Sequence, residues 1–179
     1  MIEQKKFMQY NVRMMIKRRI LLPVTLILCT LCCFFAKATD YKAVDGDSLV
    51  FGERRIRLDG IDAPEFVQQC YTENKVEYPC GKESWHYLAE LLEDSVVQCD
   101  CLPDKDKYGR DVCECYADEI LLNKAMVSGG YAMTYRSDKY FEDEQSAKLG
   151  KRGIWRGKFM RPALFRALER LQKRTAANK

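Results

Sequence analysis

Five carboxylates lie close together in the sequence, on either side of two short apolar runs. They are Asp45, Asp47, Asp59, Asp62 and Glu65. The apolar runs, at 49–51 and 56–58, are separated by Gly52, and this pattern predicts a β-hairpin. Because a hairpin brings its two ends together, we expect four or five of these acids to converge on one edge.

Converging carboxylates repel one another unless a cation lies among them. Two cations fit this position: a hard ion such as Ca²⁺, which prefers oxygen ligands, and the guanidinium of Arg57 on the second strand. Acids, an arginine and a divalent ion together are typical of a site that cleaves phosphate esters. The only histidine, His86, lies on a predicted helix, so we expect a structural or solvated role for it and no histidine base.

The first 38 residues have the composition of a targeting segment. Basic residues at 17–19 precede an apolar run at 20–36, and small residues at its end match a signal-peptidase site. The run is short for a membrane span, which needs about 20 apolar residues. We therefore predict a signal peptide at 1–38 and a secreted or periplasmic protein. The alternative is a protein anchored in the membrane by an uncleaved signal.

Beyond that segment, positive charge is concentrated at the end of the chain. Residues 39–150 contain 13 Lys and Arg against 24 Asp and Glu, whereas residues 151–179 contain ten against one. A protein that binds nucleic acid through bulk charge is basic throughout its domain. Here we expect a few placed cations, a metal ion or the tail to bind phosphate. We predict one domain at 39–157 and a basic tail at 158–179.

The tail has the pattern of an amphipathic helix. Pro162 suits a first helical position, and apolar residues follow it at helical intervals: Leu164, Phe165, Leu168 and Leu171. The helix either docks on the acidic domain with its apolar stripe covered, or forms an arm that contacts the nucleic-acid backbone.

Six cysteines follow residue 38, an even number that is typical of an exported protein. One pair brackets a polar loop, and two Cys-x-Cys pairs flank a turn. Opposed residues of a hairpin have a constant index sum, so one register places each cysteine of the first Cys-x-Cys opposite one of the second. Buried thiols and a tetrathiolate zinc site are the alternatives. We predict three disulfides: Cys70–Cys80, Cys99–Cys115 and Cys101–Cys113.

The rest of the chain combines short strands with short helices. Helical spacing predicts helices at 81–94, 121–128 and 140–149, and the cysteine hairpin occupies 96–102 and 111–117. Short strands followed by helices predict a small, mostly β barrel of the α+β class.

Four motifs make this chain similar to the staphylococcal nuclease (thermonuclease) family. They are Val-Asp-Gly-Asp-Ser at 44–48, Arg-Leu-Asp-Gly-Ile-Asp-Ala-Pro-Glu at 57–65, Asp-Lys-Tyr-Gly-Arg at 106–110 and Arg-Gly-Ile-Trp at 152–155. Within the family, the chain resembles exported bacterial members with a cysteine-bearing loop. The resemblance implies a five-stranded OB-fold-type barrel with about three helices, to which this chain adds a C-terminal basic helix.

The resemblance also implies roles for particular residues. Asp47, Asp62 and the backbone carbonyl of Ala63 correspond to the family's Ca²⁺ ligands, and Glu65 to the carboxylate that positions or deprotonates the attacking water. Two arginines, Arg57 and Arg110, correspond to those that hold the scissile phosphate, for which the guanidinium fork is suited. Four further residues are expected to contact the nucleic acid: Lys107, Tyr108, Tyr131 and Tyr135.

The sequence thus predicts an exported, Ca²⁺-dependent nuclease that cleaves DNA, RNA or both. We expect a monomer that contacts the membrane only through its signal peptide. The alternatives are an OB module that binds nucleic acid without cutting it, and a secreted, disulfide-stapled domain that binds a protein. The catalytic positions of the family are all present, which favours the enzyme.

Overall fold

The computed structural model describes residues 40–177, and the structural statements below refer to that part of the chain. The strands are β1 (Tyr41–Asp45), β2 (Ser48–Phe51), β3 (Arg54–Leu58), β4 (Ile61–Asp62), β5 (Cys70–Thr72), β6 (Glu77–Tyr78), β7 (Val97–Cys101), β8 (Asp111–Ala117), β9 (Ile120–Leu121), β10 (Met133–Thr134) and β11 (Gly157–Lys158). The α-helices are α1 (Cys80–Leu92), α2 (Leu122–Ser128), α3 (Phe141–Leu149) and α4 (Pro162–Ala177), and a 3₁₀ turn covers Gly153–Arg156.

The main sheet follows the order β1-β2-β3-β8-β7, and β9 pairs with β8. All neighbours are antiparallel except β3 and β8, which are parallel. The predicted β2–β3 hairpin is confirmed, and Gly52 in its turn has a φ of 56°, a conformation that glycine adopts without strain. The predicted α+β class, with three helices in the domain and one at the C-terminus, is confirmed.

The hydrophobic core lies between this sheet and helices α1 and α2. Leu49, Ile56 and Leu58 point inward from the β2–β3 hairpin, where they meet Leu88 of α1 and Met126 of α2. Side chains alternate between the two faces of a strand, so the residue between Ile56 and Leu58 points away from this core. That residue is Arg57.

All three predicted disulfides are present. Cys70 and Cys80 are buried with Tyr78 and Ile154 in a second, smaller apolar cluster. The β7–β8 register places Cys99 opposite Cys115 and Cys101 opposite Cys113, and each pair is bonded. The constant index sum of a hairpin therefore predicted the pairing, and the zinc and buried-thiol alternatives are wrong for these four residues.

Helix α4 is confirmed, with Pro162 at its first position, but most of its apolar stripe is not covered, and only Phe165 is partly buried. Leu164, Leu168 and Leu171 are all exposed, as is every residue of 170–177. The stripe stays open because only the beginning of α4 packs on the domain. The prediction of a helix docked along its apolar face is therefore wrong.

The predicted signal peptide, at 1–38, lies outside the described residues. Within 40–177, no helix combines the length and apolar character that a membrane span requires.

Candidate active site

The turn between β1 and β2 places Asp47 inside the protein. The Asp47 amide donates to Asp45 Oδ1 at 3.0 Å, a local bond that favours aspartate in turns. Glycine is required between them because a Cβ at Gly46 would clash with Ser84 and Ala63. Asp47 Oδ2 accepts from the Ala63 amide at 2.8 Å, and this bond joins the turn to the end of β4.

Arg57 joins two of the predicted metal ligands. Its Nη1 pairs with Asp47 Oδ1, and its Nη2 lies 3.1 Å from Asp62 Oδ1. The same Nη2 donates to the carbonyl of Ile61 at 2.8 Å. Burial lowers the pKa of Arg57, an effect that the negative charge of Asp62 opposes, and a guanidinium remains charged at working pH. Asp47 and Asp62 are only 3% and 2% exposed, so Arg57 neutralises charge that water does not reach.

Glu65 follows β4 in a segment held against the start of α1. Its amide donates to Gln68 Oε1 at 3.3 Å, and its carbonyl accepts from the Gln68 amide at 2.7 Å. A Cβ at Gly81 would clash with the Glu65 carbonyl, so glycine at the first turn of α1 allows this close approach. The backbone of Glu65 is thus fixed, whereas its side chain remains about one-third exposed.

Arg110 closes the turn between β7 and β8 and reaches the same site. Its Nε and Nη2 donate to Asp106 Oδ2 at 2.8 and 2.7 Å, and its Nη1 donates to Ser48 Oγ at 3.3 Å. Desolvation would raise the pKa of Asp106, but hydrogen bonds from Arg110 and Tyr108 outweigh it and lower that pKa. Asp106 therefore stays ionised and orients Arg110 toward the residue that follows Asp47.

These contacts bring strand, turn and loop residues to one edge of the sheet, and a family comparison covers most of them. A family model described as "Staphylococcal nuclease homologue" matches residues 55–157, more than half of the chain. The chain belongs to this family. The matched region of this staphylococcal nuclease homologue contains Arg57, Asp62, Glu65 and Arg110, and begins after Asp47.

Individual relatives match about two-thirds of the chain. "Succinoglycan biosynthesis protein ExoI" of Rhizobium meliloti (strain 1021) is 35% identical over 64% of this chain and 62% of its own length. "Probable staphylococcal-like nuclease CAN1" of Oryza sativa subsp. japonica is 29% identical over 62% of this chain and 31% of its own. "Thermonuclease" of Staphylococcus hyicus is 25% identical over 64% and 72%. The chain thus spans less than two-thirds of the first two relatives.

The metal ligands that the sequence predicted lie together in this staphylococcal nuclease homologue. Asp47 and Asp62 contact one guanidinium, and Ala63 is bonded to Asp47. Within residues 40–177, no three His, Cys, Asp or Glu side chains are grouped to hold a metal ion. Asp47, Asp62 and the Ala63 carbonyl offer only oxygen donors, the type of ligand that Ca²⁺ prefers.

Two of the predicted site residues, Asp59 and Tyr131, contact other side chains in the structure. Asp59 was one of the four or five acids expected to converge, but its carboxylate lies 3.4 Å from Lys139 Nζ, and its carbonyl accepts from Asn123 Nδ2 at 2.9 Å. The ring of Tyr131 stacks on Tyr87 of α1, with centroids 4.3 Å apart. Tyr131 therefore packs beside the core, and its predicted contact with nucleic acid stays a prediction.

Three other predicted contacts lie on accessible surface. Lys107 and Tyr108 are exposed on the turn that carries Arg110, whose guanidinium lies 5.6 Å from the Tyr108 ring centroid. The ring of Tyr135 faces Arg136 at 4.9 Å. A nucleotide bound at Arg110 would be within reach of the exposed turn, and the substrate roles of all three residues stay predictions.

A third arginine, Arg166 of α4, enters the site, and the sequence analysis did not single it out for this role. Its Nη1 donates to Glu65 Oε1 at 2.7 Å, and its Nη2 to Asp62 Oδ1 and Oδ2 at 3.0 and 3.1 Å. Burial alone would lower the pKa of Arg166, but the bond to Glu65 and the charge of Asp62 raise it. In the sequence, Arg166 is one of several basic residues that lie outside the apolar stripe of the tail, and no local signal distinguishes it from the others.

Proposed function

We propose that this protein is an exported, Ca²⁺-dependent nuclease that hydrolyses phosphodiester bonds of DNA, RNA or both. The observation that carries the proposal is the convergence of Asp47 and Asp62 with Arg57 and Arg110 on one edge of a staphylococcal nuclease domain, where Arg166 also connects Asp62 to Glu65. Relatives described as nucleases support the same reaction class.

Asp47, Asp62 and the Ala63 carbonyl would hold the ion. When bound, Ca²⁺ would supply positive charge that stabilises the phosphoryl group as negative charge develops on it. Arg57 orients both acids before any ligand arrives, because one guanidinium contacts the Oδ1 atom of each carboxylate and leaves the Oδ2 of Asp62 outside its contacts. Preorganised groups of this kind need no rearrangement during the reaction.

Glu65 and the two arginines would act on water and phosphate. Glu65 has a fixed backbone and a partly exposed carboxylate, so it can accept a proton from a water molecule or orient that water. Arg110 retains N–H groups beyond those bonded to Asp106 and Ser48, and Arg57 retains its Nε. Bidentate donation from guanidinium groups would then stabilise the charge on the phosphoryl oxygens.

Export is supported by the disulfides. The six cysteines of the domain form three disulfides. Disulfides form and persist in oxidising compartments and are rare in the cytosol. We propose a secreted or periplasmic location, with the signal segment as its route.

The test is digestion of plasmid DNA and of RNA in Ca²⁺ or in EGTA. We expect wild type to cut only in Ca²⁺, and Glu65→Gln to lose cleavage by a factor of about 10² or more. Glu53→Gln removes the same charge from an exposed hairpin turn and should cut as wild type does. Wild type that binds nucleic acid in Ca²⁺ without cutting it would show a non-catalytic OB module instead.

A further inference from the structure

Helix α4 places the guanidinium of Arg166 between a proposed metal ligand and the carboxylate that is proposed to act on water. The guanidinium of Arg166 lies between Asp62 and Glu65, with three donor–acceptor distances of 2.7–3.1 Å. Both carboxylate oxygens of Asp62 accept from it. Arg57 Nη2 donates a further hydrogen bond to Asp62 Oδ1, so both oxygens of this carboxylate accept from guanidinium groups of the protein.

A bound divalent ion and Arg166 would need the same lone pairs. Asp62 Oδ2 is not contacted by Arg57 but accepts from Arg166, and an oxygen that accepts from this guanidinium is not free to coordinate a metal. Two cations at that separation also repel each other. Glu65 is affected in the same way, because its Oε1 accepts from Arg166 and is then not free to accept from a water molecule. Docking of Arg166 therefore competes with metal binding and opposes the action of Glu65.

The remaining contacts of α4 are concentrated at its base. Met160 accepts from the buried Gln68 side chain at 2.7 Å, and Phe159 packs edge-on against Trp155 with centroids 5.1 Å apart. Pro162 is buried at the first turn. These contacts fix the chain just before the helix and leave the helix itself free of them.

Along the helix, attachment to the domain depends on Arg166. Among the described ion pairs, those that join α4 to the rest of the domain both belong to this residue. Leu164, Leu168 and Leu171 are 53%, 38% and 58% exposed, so Phe165 is the one residue of the apolar stripe that is partly buried. Elements with few buried contacts open at low free-energy cost, and α4 is of this kind beyond its base.

We propose that α4 is an autoinhibitory latch: Arg166 holds Asp62 and Glu65 in a closed state, and Ca²⁺ binds only after the helix has released them. The latch rests on the proposed Ca²⁺-dependent reaction. By linkage, whatever weakens the latch tightens Ca²⁺ binding, and Ca²⁺ in turn releases α4 by the same factor. If the open state is about a tenth of the population, loss of the latch tightens the apparent Kd about tenfold.

Calorimetric titration of the full-length protein with CaCl₂ tests this. Arg166→Gln should bind Ca²⁺ about tenfold more tightly than wild type. Arg166→Lys, which keeps the charge but lacks the fork, should lie between them. Arg170→Gln is the matched control, since it removes the same charge from an exposed position one turn further along α4, and should bind as wild type does.

A second readout follows the helix itself. Hydrogen exchange of the amides of 163–169 in wild type should accelerate when Ca²⁺ is added, and in Arg166→Gln it should be fast with or without Ca²⁺. Cleavage at sub-saturating Ca²⁺ should rise in Arg166→Gln and converge with wild type at saturation.

Three outcomes overturn the latch. The first is Ca²⁺ binding by Arg166→Gln that is equal to or weaker than that of wild type. The second is α4 exchange that does not respond to Ca²⁺ in wild type. The third is turnover at saturating Ca²⁺ that falls in Arg166→Gln, which would place Arg166 among the phosphate-binding arginines.

If wild type and Arg166→Gln both fail to bind Ca²⁺ and to cut nucleic acid, the proposed function itself has failed. If both bind and cut alike, only the latch has failed.

Discussion

Arg57 and Arg166 contact the same oxygen of Asp62, at 3.1 and 3.0 Å, but they come from very different parts of the molecule. Arg57 is on β3, which is hydrogen-bonded to β2 on one side and β8 on the other. Arg166 is on a helix whose later turns are exposed. The side chain of Arg57 is 13% exposed and that of Arg166 is 29% exposed.

Similar hydrogen bonds therefore differ in how easily they open. Arg57 cannot leave Asp47 and Asp62 without stranding buried charges, which is strongly destabilising. Arg166 can leave with α4, because Glu65 is accessible to water and Arg57 still pairs with Asp62. The length of a hydrogen bond therefore does not indicate how easily it opens. What decides this is how firmly the element that carries the donor is packed on the domain.

The largest effect should follow from removing the carboxylate that both arginines share. Asp62→Asn should reduce Ca²⁺-dependent cleavage to background, because it removes a proposed ligand. It should also remove the increase in Tm that Ca²⁺ gives wild type. A ligand at 100-fold excess over its Kd adds about 2.7 kcal/mol to the free energy of unfolding. Cleavage assays and thermal melts with and without Ca²⁺ measure both. Asp100→Asn, on the exposed side of β7, is the control and should behave as wild type. An equal Ca²⁺ shift in Asp62→Asn and wild type would contradict the ligand assignment.

The next largest effect separates the strand arginine from the turn arginine. Arg57→Ala and Arg110→Ala should each lower turnover by about 10² or more, since each removes a preorganised positive charge. Only Arg57→Ala should also cost about 3–5 kcal/mol of unfolding free energy, because it leaves Asp47 buried without its ion pair.

Single-turnover cleavage and urea denaturation measure these two quantities. Arg55→Ala, an exposed substitution on the same strand, controls for loss of charge from β3. If Arg57→Ala keeps wild-type stability, then Arg57 on β3 is not needed to neutralise buried Asp47, and it does not differ from Arg110 in this respect.

A smaller effect tests whether Arg110 is held as firmly as Arg57. The Cys101–Cys113 bridge closes the base of the turn that carries Arg110. Replacing both with serine should lower turnover on the order of tenfold, because a mobile turn misplaces the guanidinium. Replacing Cys70 and Cys80 instead should cost about 2–5 kcal/mol of stability, since that pair is part of a buried cluster. Unchanged turnover in the first variant would show that Asp106 alone positions Arg110.

The smallest effect concerns the exposed face of α4. Leu171→Ser should change the free energy of unfolding by no more than about 0.5 kcal/mol, as is usual for a surface position. Leu88→Ala, in the core, should cost about 2–5 kcal/mol in the same denaturation experiment. A loss above about 1 kcal/mol in Leu171→Ser would mean that the stripe is covered in solution, and would revise the predicted monomer as well.

Features set by neighbouring residues were predictable. The β2–β3 hairpin follows from two apolar runs and Gly52, and the disulfides of the β7–β8 hairpin follow from its register. The local signals for α1, α2 and α3 also hold to within two residues at each end. Each of these depends on side-chain periodicity or on a turn residue, which are written in consecutive positions of the chain.

Features that depend on distant packing were not predictable in the same way. Gln68, fully buried, connects the backbone of Glu65 to Met160, which lies 92 positions along the chain. Nothing near Gln68 in the sequence marks it for that role. The stacking of Tyr131 on Tyr87 of α1 is likewise a contact between distant parts of the chain that no local pattern marks, and the predicted contact of Tyr131 with nucleic acid stays a prediction.

The sequence alone determined which chemical groups the site contains. Asp47, Arg57, Asp62, Glu65 and Arg110 were predicted from residue type and from the resemblance of their motifs to those of the staphylococcal nuclease family, and carboxylates and guanidinium groups are what phosphate and a hard cation require. Only the tertiary structure decided which cation each carboxylate holds. Arg166 reaches Asp62 and Glu65 across 104 and 101 positions of sequence, and closing so long a loop depends on how α4 leaves the domain at Met160. Local periodicity predicts a helix there, but it carries no information about where that helix points.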